Sequence, residues 1–282
     1  MVDDIINFIQ LEEVNVEGDK QREIIAFLDQ NPAIKNLMHI PLILDMLCSK
    51  WSSELGKQKN LTMTVLYENL VNQIWQHHDK RSKEIEPNQK IDTLRSKKAE
   101  IKNFLYQLAF QAMQSSNILL ERNLVYKVIQ EIYHCQIDDV PLYIDSVVNS
   151  EFLHTPDEEI YYFPHLMLQE FFAAKYIALA LERQDIHTIN YIKQEKYNPR
   201  LENVWWFVAG LVKERREILE QYFTLLEEEP VDLIGLAKDM LLVRCLEECA
   251  LKVSIVRKEQ ILQRLCTWVK FSVTYSNLPI LI

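Results

Sequence analysis

From Thr64 onward, Tyr67, Leu70, Val71, Ile74 and Trp75 fall at i, i+3, i+4, i+7 and i+8, the apolar stripe of a long amphipathic helix. The same period recurs along most of the chain. Ile24, Ile25 and Leu28 give an earlier stripe, and Asn31-Pro32 supplies a cap and first turn for a helix through Ile34 and Leu37. Pro41 opens another over Leu42, Leu44, Met46 and Leu47. Ile101, Phe104, Leu105, Leu108 and Ala112 predict a helix, as do Leu124, Val125, Val128, Ile129 and Ile132, and a shorter one holds Ile144, Val147 and Val148 after Pro141. Between these, Trp51 to Asn60 reads as a polar loop, and the charged stretch to Lys98, broken by Pro87 and Asn88, as a linker. The apolar run around Ile5, Ile6, Phe8 and Ile9 fits a strand or a helix.

The period changes once with emphasis. Phe152, Leu153 and His154, then Ile160, Tyr161, Tyr162 and Phe163, are extended-type runs separated by the polar turn Thr155 to Glu159, which predicts a β-hairpin. Pro164 ends the second run. Helical spacing resumes at once with Leu168, Phe171, Phe172 and Leu179, while Ala173, Ala174 and Ala178 make the helix apolar on several sides, as a buried helix is. Helices, a short hairpin and a buried helix are the outline of a winged-helix domain. Past Asn190 come stripes of about 15 residues: Val204, Trp205, Val208, Leu211 and Val212; Ile218, Leu219, Tyr222, Phe223 and Leu226; Leu233, Leu236, Ala237, Met240 and Leu241; Ile261, Leu262, Leu265, Trp268 and Val269. The fold class expected is mainly α: a helical domain, a winged-helix domain with a short β-hairpin, and a C-terminal solenoid-like helical domain.

Composition narrows the function classes. With 282 residues the length prior allows about two domains, and 48% hydrophobic residues suffice for real cores. A net charge of −10 counts against nucleic acid, and the third helix of the winged domain, PLYIDSVVNSE, offers two acids and no base. A DNA-binding winged helix therefore ranks last. Five cysteines and no secretory leader point to a reducing cytosol, hence a cytoplasmic protein. Cys245 and Cys249 share a helix face, yet no further ligand stands near enough to complete a zinc site; His77, His78 and Asp79 are consecutive and cannot converge, so no metal ligand is assigned and a solvated helix end is the reading. No apolar run approaches the 18 or so residues of a membrane span.

The junction carries the main candidate. His165 stands where strand becomes helix, within HLMLQEFFAA. Taken alone, a histidine there is most simply a helix cap. The residues His165, Gln169, Glu170, Phe171, Phe172, Ala173 and Ala174 closely resemble the winged-helix motif of NACHT-type nucleotide-binding proteins, the NLR-like branch of the STAND ATPases. The resemblance implies that His165 reaches the β-phosphate of bound ADP and holds a closed state. Met167 stands where many relatives carry Ser or Thr. Asn31, Pro32, Leu37, Pro41, Leu42, Leu44, Leu47 and Cys48 resemble the family's first helical domain, whose proline packs on the adenine ring; Pro41 inherits that role by resemblance, and on spacing alone it is equally a helix N1 residue. Asn203 to Leu211, NVWWFVAGL, looks like the start of the second helical domain.

The resemblance covers roughly residues 10 to 215 and sets the expected organisation: 1–18, the end of a nucleotide-binding domain; 19–90, helical domain 1; 91–184, the winged helix; 185–282, helical domain 2 or a short α-solenoid. What is missing matters equally. Gly18, Gly56, Gly210 and Gly235 cannot build a phosphate-cradling loop, and neither a GxxxxGK motif nor a run ending in paired acids occurs. The chain alone is expected not to be an enzyme and not to bind a cofactor, with no catalytic residue; ADP or ATP would be clamped only with a P-loop nucleotide-binding domain in the same or another chain. Homo-oligomerisation on activation follows from the same resemblance. The alternative is a freestanding helical adaptor binding a protein partner through its C-terminal helices, with Trp205, Trp206, Tyr222 and Trp268 as anchors if exposed and as core residues if not.

Overall fold

The computed structural model describes residues 18–35, 38, 44, 47, 48, 51, 61–85, 91–148, 152–230 and 236–274. Pro41 lies outside the described residues, as do positions 1–17 and most of the stretch around that proline. The chain divides into two compact units, residues 1–66 and 67–282. Among the described residues it is mainly helical with one small antiparallel sheet.

In the first unit, α1 (Gly18–Gln30) and α2 (Pro32–Lys35) are joined at Asn31, whose side-chain amide donates to the Phe27 carbonyl at 2.8 Å. Ile24, Phe27, Leu28 and Ile34 are buried. Trp51 stacks edge-on against Phe27 at 5.1 Å and donates its indole N–H to Glu23 at 3.0 Å. The helix α3 (Met63–Ile85) continues this chain, and its residues from Tyr67 onward belong to the second unit.

In the second unit two short strands are interleaved with the helices. After α3 come α4 (Ile91–Gln114), β1 (Leu120–Glu121), α5 (Arg122–Tyr133), a 3₁₀ turn (Ile137–Asp139), α6 (Val140–Val148), β2 (Ile160–Tyr161) and α7 (Leu166–Glu182). The helical layer that follows comprises α8 (Ile186–Glu195), α9 (Glu202–Val212), α10 (Arg216–Glu227), α11 (Leu236–Glu248) and α12 (Ile255–Thr274). At the centre is α7, packed on α4 and on α9; α9 in turn packs on α11, and α11 on α12.

Several sequence expectations are corrected. The stretch read as a linker up to Lys98 is helical from Ile91, and α3 runs to Ile85, so His78 and Asp79 lie within a helix rather than at its end. Charge density misled there, because Lys, Glu, Arg and Ala are good helix formers whatever their polarity. Of the expected hairpin, only the pairing of His154 with Tyr162 survives as a bridge, with reciprocal N–H···O bonds of 2.9 and 3.0 Å. The ladder proper joins β2 to β1, in register Leu120 with Tyr161 and Glu121 with Ile160. Helix α8 had no predicted counterpart starting at Ile186; it begins where Asp185 accepts from the Thr188 backbone N–H at 2.9 Å.

Lys196, just past α8, shows how the helical layer is locked. It is 2% exposed, and its ammonium donates to the carbonyls of Leu225 at 3.3 Å, Leu226 at 3.2 Å and Glu228. These are the orphan acceptors at the end of α10, so a buried cation serves as its C-cap. Lys196→Met, which keeps the stem but leaves those carbonyls without a donor, should lower unfolding free energy by about 2 kcal/mol in denaturant titration.

Candidate functional site

His165 is the N-cap of α7. Its backbone is extended (φ −148°, ψ 140°), its carbonyl accepts the Leu168 N–H at 3.0 Å, and its Nδ1 accepts the Met167 N–H at 3.2 Å. An acceptor at Nδ1 requires a neutral ring with its proton on Nε2. Partial burial pushes the imidazole below its ordinary pKa and keeps it in that form at neutral pH. The cap reading of this histidine is therefore met by Nδ1. Nε2–H remains as a hydrogen donor on a half-exposed ring, beside the N-terminal N–H groups of a 17-residue helix.

The rest of the motif faces inward. Leu168, Gln169, Glu170, Phe171, Phe172, Ala173, Ala174, Ile177, Ala178, Ala180 and Leu181 are all buried, so the helix is wrapped on nearly every side. Its polar pair is satisfied by specific partners. Gln169 donates through Nε2 to the Asn117 carbonyl at 2.9 Å and lies 3.5 Å from the Met113 sulfur, which pins the turn between α4 and β1. Glu170 receives the Asn203 amide at 3.1 and 3.2 Å, which ties α7 to α9. The QEFFAA and NVWW segments, separate in sequence, thus meet in one contact.

Burial pushes the Glu170 carboxyl up to about 7, with the Asn203 bond pulling the other way. Across from it, Tyr67 is 1% exposed and its hydroxyl has no hydrogen-bond partner among the described residues. Burial, and secondarily Glu170, raises that phenol well beyond its ordinary range. Its ring lies against Phe171 at 5.9 Å and Phe207 at 5.2 Å. Sequence reading singled out Gln169 and Glu170 only as letters of a motif; Tyr67 and Lys196 gave no signal of their own.

Other candidates resolve into structure. Cys245 and Cys249 are buried free thiols, with Cys245 3.7 Å from the Trp205 carbonyl and Cys249 3.4 Å from that of Leu246. Burial raises both thiols, so they behave as small apolar groups. Among the described residues no group of three or more His, Cys, Asp or Glu could hold a metal. Trp205 and Tyr222 are completely buried, the Tyr222 hydroxyl donating to the Trp205 carbonyl at 2.9 Å; as core residues they cannot anchor a partner. Trp206 is half-buried under the Arg244 guanidinium at 5.6 Å, and Trp268 half-buried beside Phe271 at 6.1 Å. An open groove of about 560 Å³ runs along Asp239, Gln260, Gln263, Arg264, Thr267 and Trp268, away from His165. Its cation is already engaged, because Arg264 bonds Asp239 at 2.9 Å and Glu227 at 3.4 Å.

A domain family of unknown function, DUF7068, matches residues 19–64. That is a match within the first unit. No curated protein matches the chain. No helix among the described residues is long and apolar enough to cross a membrane. The His165 region lies beyond the family match and stands on its own geometry.

His165→Ala removes the cap and should cost about 1 kcal/mol in chemical denaturation, whereas His165→Asn, a better capping side chain, should cost nothing measurable. An equal loss in both variants would show that the ring itself supports the fold.

Proposed function

We propose that this chain is the regulatory part of a NACHT-type signalling ATPase, a cytoplasmic switch that clamps ADP on a P-loop domain supplied elsewhere and releases it on activation. The observation that carries the reading is the cap made by His165: Nδ1 accepts at the N-terminus of α7, which assigns the ring proton to Nε2 and so makes this half-buried imidazole a donor at the positive end of that helix. A neutral imidazole N–H beside a helix N-terminus is a suitable donor for a phosphate oxygen. The Gln169 and Glu170 bonds support a switch as well, because they couple α7 to the turn after α4 and to α9, so displacement of His165 would move neighbouring elements together. Pro41 retains its adenine-packing role on resemblance alone. Hydrolysis belongs to the P-loop domain in this reading, and this chain supplies no catalytic group.

The test is the nucleotide content of the protein as purified from its own cells with any associated P-loop chain. Denaturing the sample and separating the extract by ion exchange should release ADP in near-stoichiometric amount. A nucleotide-free preparation that remains folded overturns the proposal and favours the adaptor reading.

A further inference from the structure

Three lysines from two helices gather against α3 in the second unit, and two of them are paired. Lys98 on α4 bonds Asp79 on α3 at 2.7 Å, and Lys175 on α7 bonds Glu68 on α3 at 2.7 Å. Lys102, one turn along α4 from Lys98, makes no ion pair or hydrogen bond among the described residues. Its Nζ lies 5.4 Å from the Trp75 ring centroid, as does that of Lys98, and the indole itself is buried. Burial first, then the ammoniums of Lys98 and Lys175, push the half-buried Lys102 amine below its ordinary pKa, with Asp79 opposing them. His78 Nδ1 stands 3.9 Å from Asp79, and the Tyr106 phenol, which burial and secondarily Glu68 push up to about 12, stays neutral beside the Lys175 pair. Two carboxylates thus serve three ammoniums, and the one left over is close to both others. Lys196 shares the downward push on its amine, but it is inaccessible and its ammonium is engaged by three carbonyls.

We propose that Lys102 is a carbon dioxide acceptor, whose free amine adds to CO2 to form a carbamate stabilised by the neighbouring Lys98 and Lys175 ammoniums. The nitrogen lone pair attacks carbon, one C=O pair moves onto oxygen, and the nitrogen gives up a proton to solvent. The amine and CO2 thus become a carbamate anion and one proton, with no oxidant or further reactant. Crowding by cations favours this step twice: it raises the share of neutral, nucleophilic amine, and it attracts the anionic product. Repulsion among three ammoniums is exchanged for attraction between one anion and two. Acetylation would only remove the charge, whereas CO2 is small, reaches a half-buried amine and leaves a counter-charge where one is missing. The proposal does not depend on nucleotide binding.

Carbon-13 NMR of the full chain in labelled bicarbonate at about pH 8 tests it, with the carbamate then ethylated by triethyloxonium and located by peptide mass spectrometry. A carbamate resonance should appear, and the trapped ester should map to Lys102. Lys102→Arg keeps a cation over Trp75 and cannot form a carbamate, so the resonance should vanish apart from any contribution of a chain-terminal amine. Lys98→Gln, which removes one neighbouring cation, should raise the half-saturating CO2 concentration roughly threefold or more with an unchanged circular dichroism spectrum. No adduct on Lys102, a resonance equally strong in Lys102→Arg, or a CO2 dependence indifferent to Lys98→Gln would overturn the proposal.

Discussion

Truncating Phe172 to alanine is expected to lower the unfolding free energy by about 3–5 kcal/mol. The side chain has no solvent exposure and sits among Phe152 at 5.2 Å, Tyr106 at 5.6 Å, Phe163 at 5.9 Å and Phe171 at 6.1 Å. These rings come from α4, from the segments on either side of the His154–Tyr162 bridge and from α7 itself, so no single element can move in to fill the space. The upper part of the range follows, because the penalty grows with residual cavity volume. Phe172→Leu, which keeps most of the volume, should cost clearly less. Urea titration followed by tryptophan fluorescence and circular dichroism measures both, and a loss below about 1 kcal/mol for the alanine variant would show that the ring cluster is not the core of this unit.

Stability should also fall as pH rises through neutrality, and Glu170 should be the cause. Its folded pKa is raised from 4.5 to about 7 by burial, so the folded chain holds a proton that the unfolded chain has already released between those values. The contribution is fully present below about pH 4.5 and is lost as pH rises through about 7. Its size is roughly 3 kcal/mol, since each tenfold difference in proton affinity between the folded and unfolded chain is worth about 1.4 kcal/mol. Glu170→Gln keeps an acceptor for Asn203 and carries no charge at any pH. The variant should therefore be more stable than the parent at about pH 8, by up to about 3 kcal/mol, and close to it at about pH 5. Identical pH profiles for the two proteins would exclude an ionisable buried Glu170.

The elements most legible in the sequence were those whose information is local. Helix α7 announced itself through Leu168, Phe171, Phe172 and the alanines, because a helix apolar on all sides has to be buried, and it is. Strand β1 was not legible: two residues carry no period, and their partner, Ile160–Tyr161, lies some forty positions away. The same holds for Lys196, whose partners are backbone carbonyls that any sequence would provide. Helix α8 hid because Ile186 is 60% exposed and few of its residues are buried, although Asp185 followed by Thr188 is a readable cap signal.

The candidate site was half legible. His165 could be placed at the strand-to-helix junction from Pro164 and the change of period, while the direction of its ring could not, since that depends on the Met167 N–H being left without a helical partner. Gln169 and Glu170 carried a signal that physical reasoning could have used. Two polar side chains on a helix otherwise too apolar to face water need buried partners, and Asn203, the polar residue opening the apolar run VWWFVAGL, is the natural one for Glu170.

The most direct measurement of the central claim is the ADP affinity of the native protein with its P-loop domain, compared with that of the His165→Asn variant. Asparagine preserves the helix cap and lacks the reach of Nε2, so fold and phosphate contact are separated in one substitution. A role in holding ADP predicts an unchanged denaturation midpoint and a dissociation constant raised about tenfold to a hundredfold, the equivalent of a lost contact of roughly 1.5–3 kcal/mol. An unaltered ADP affinity, with the fold intact, would reduce His165 to a helix cap and contradict the account.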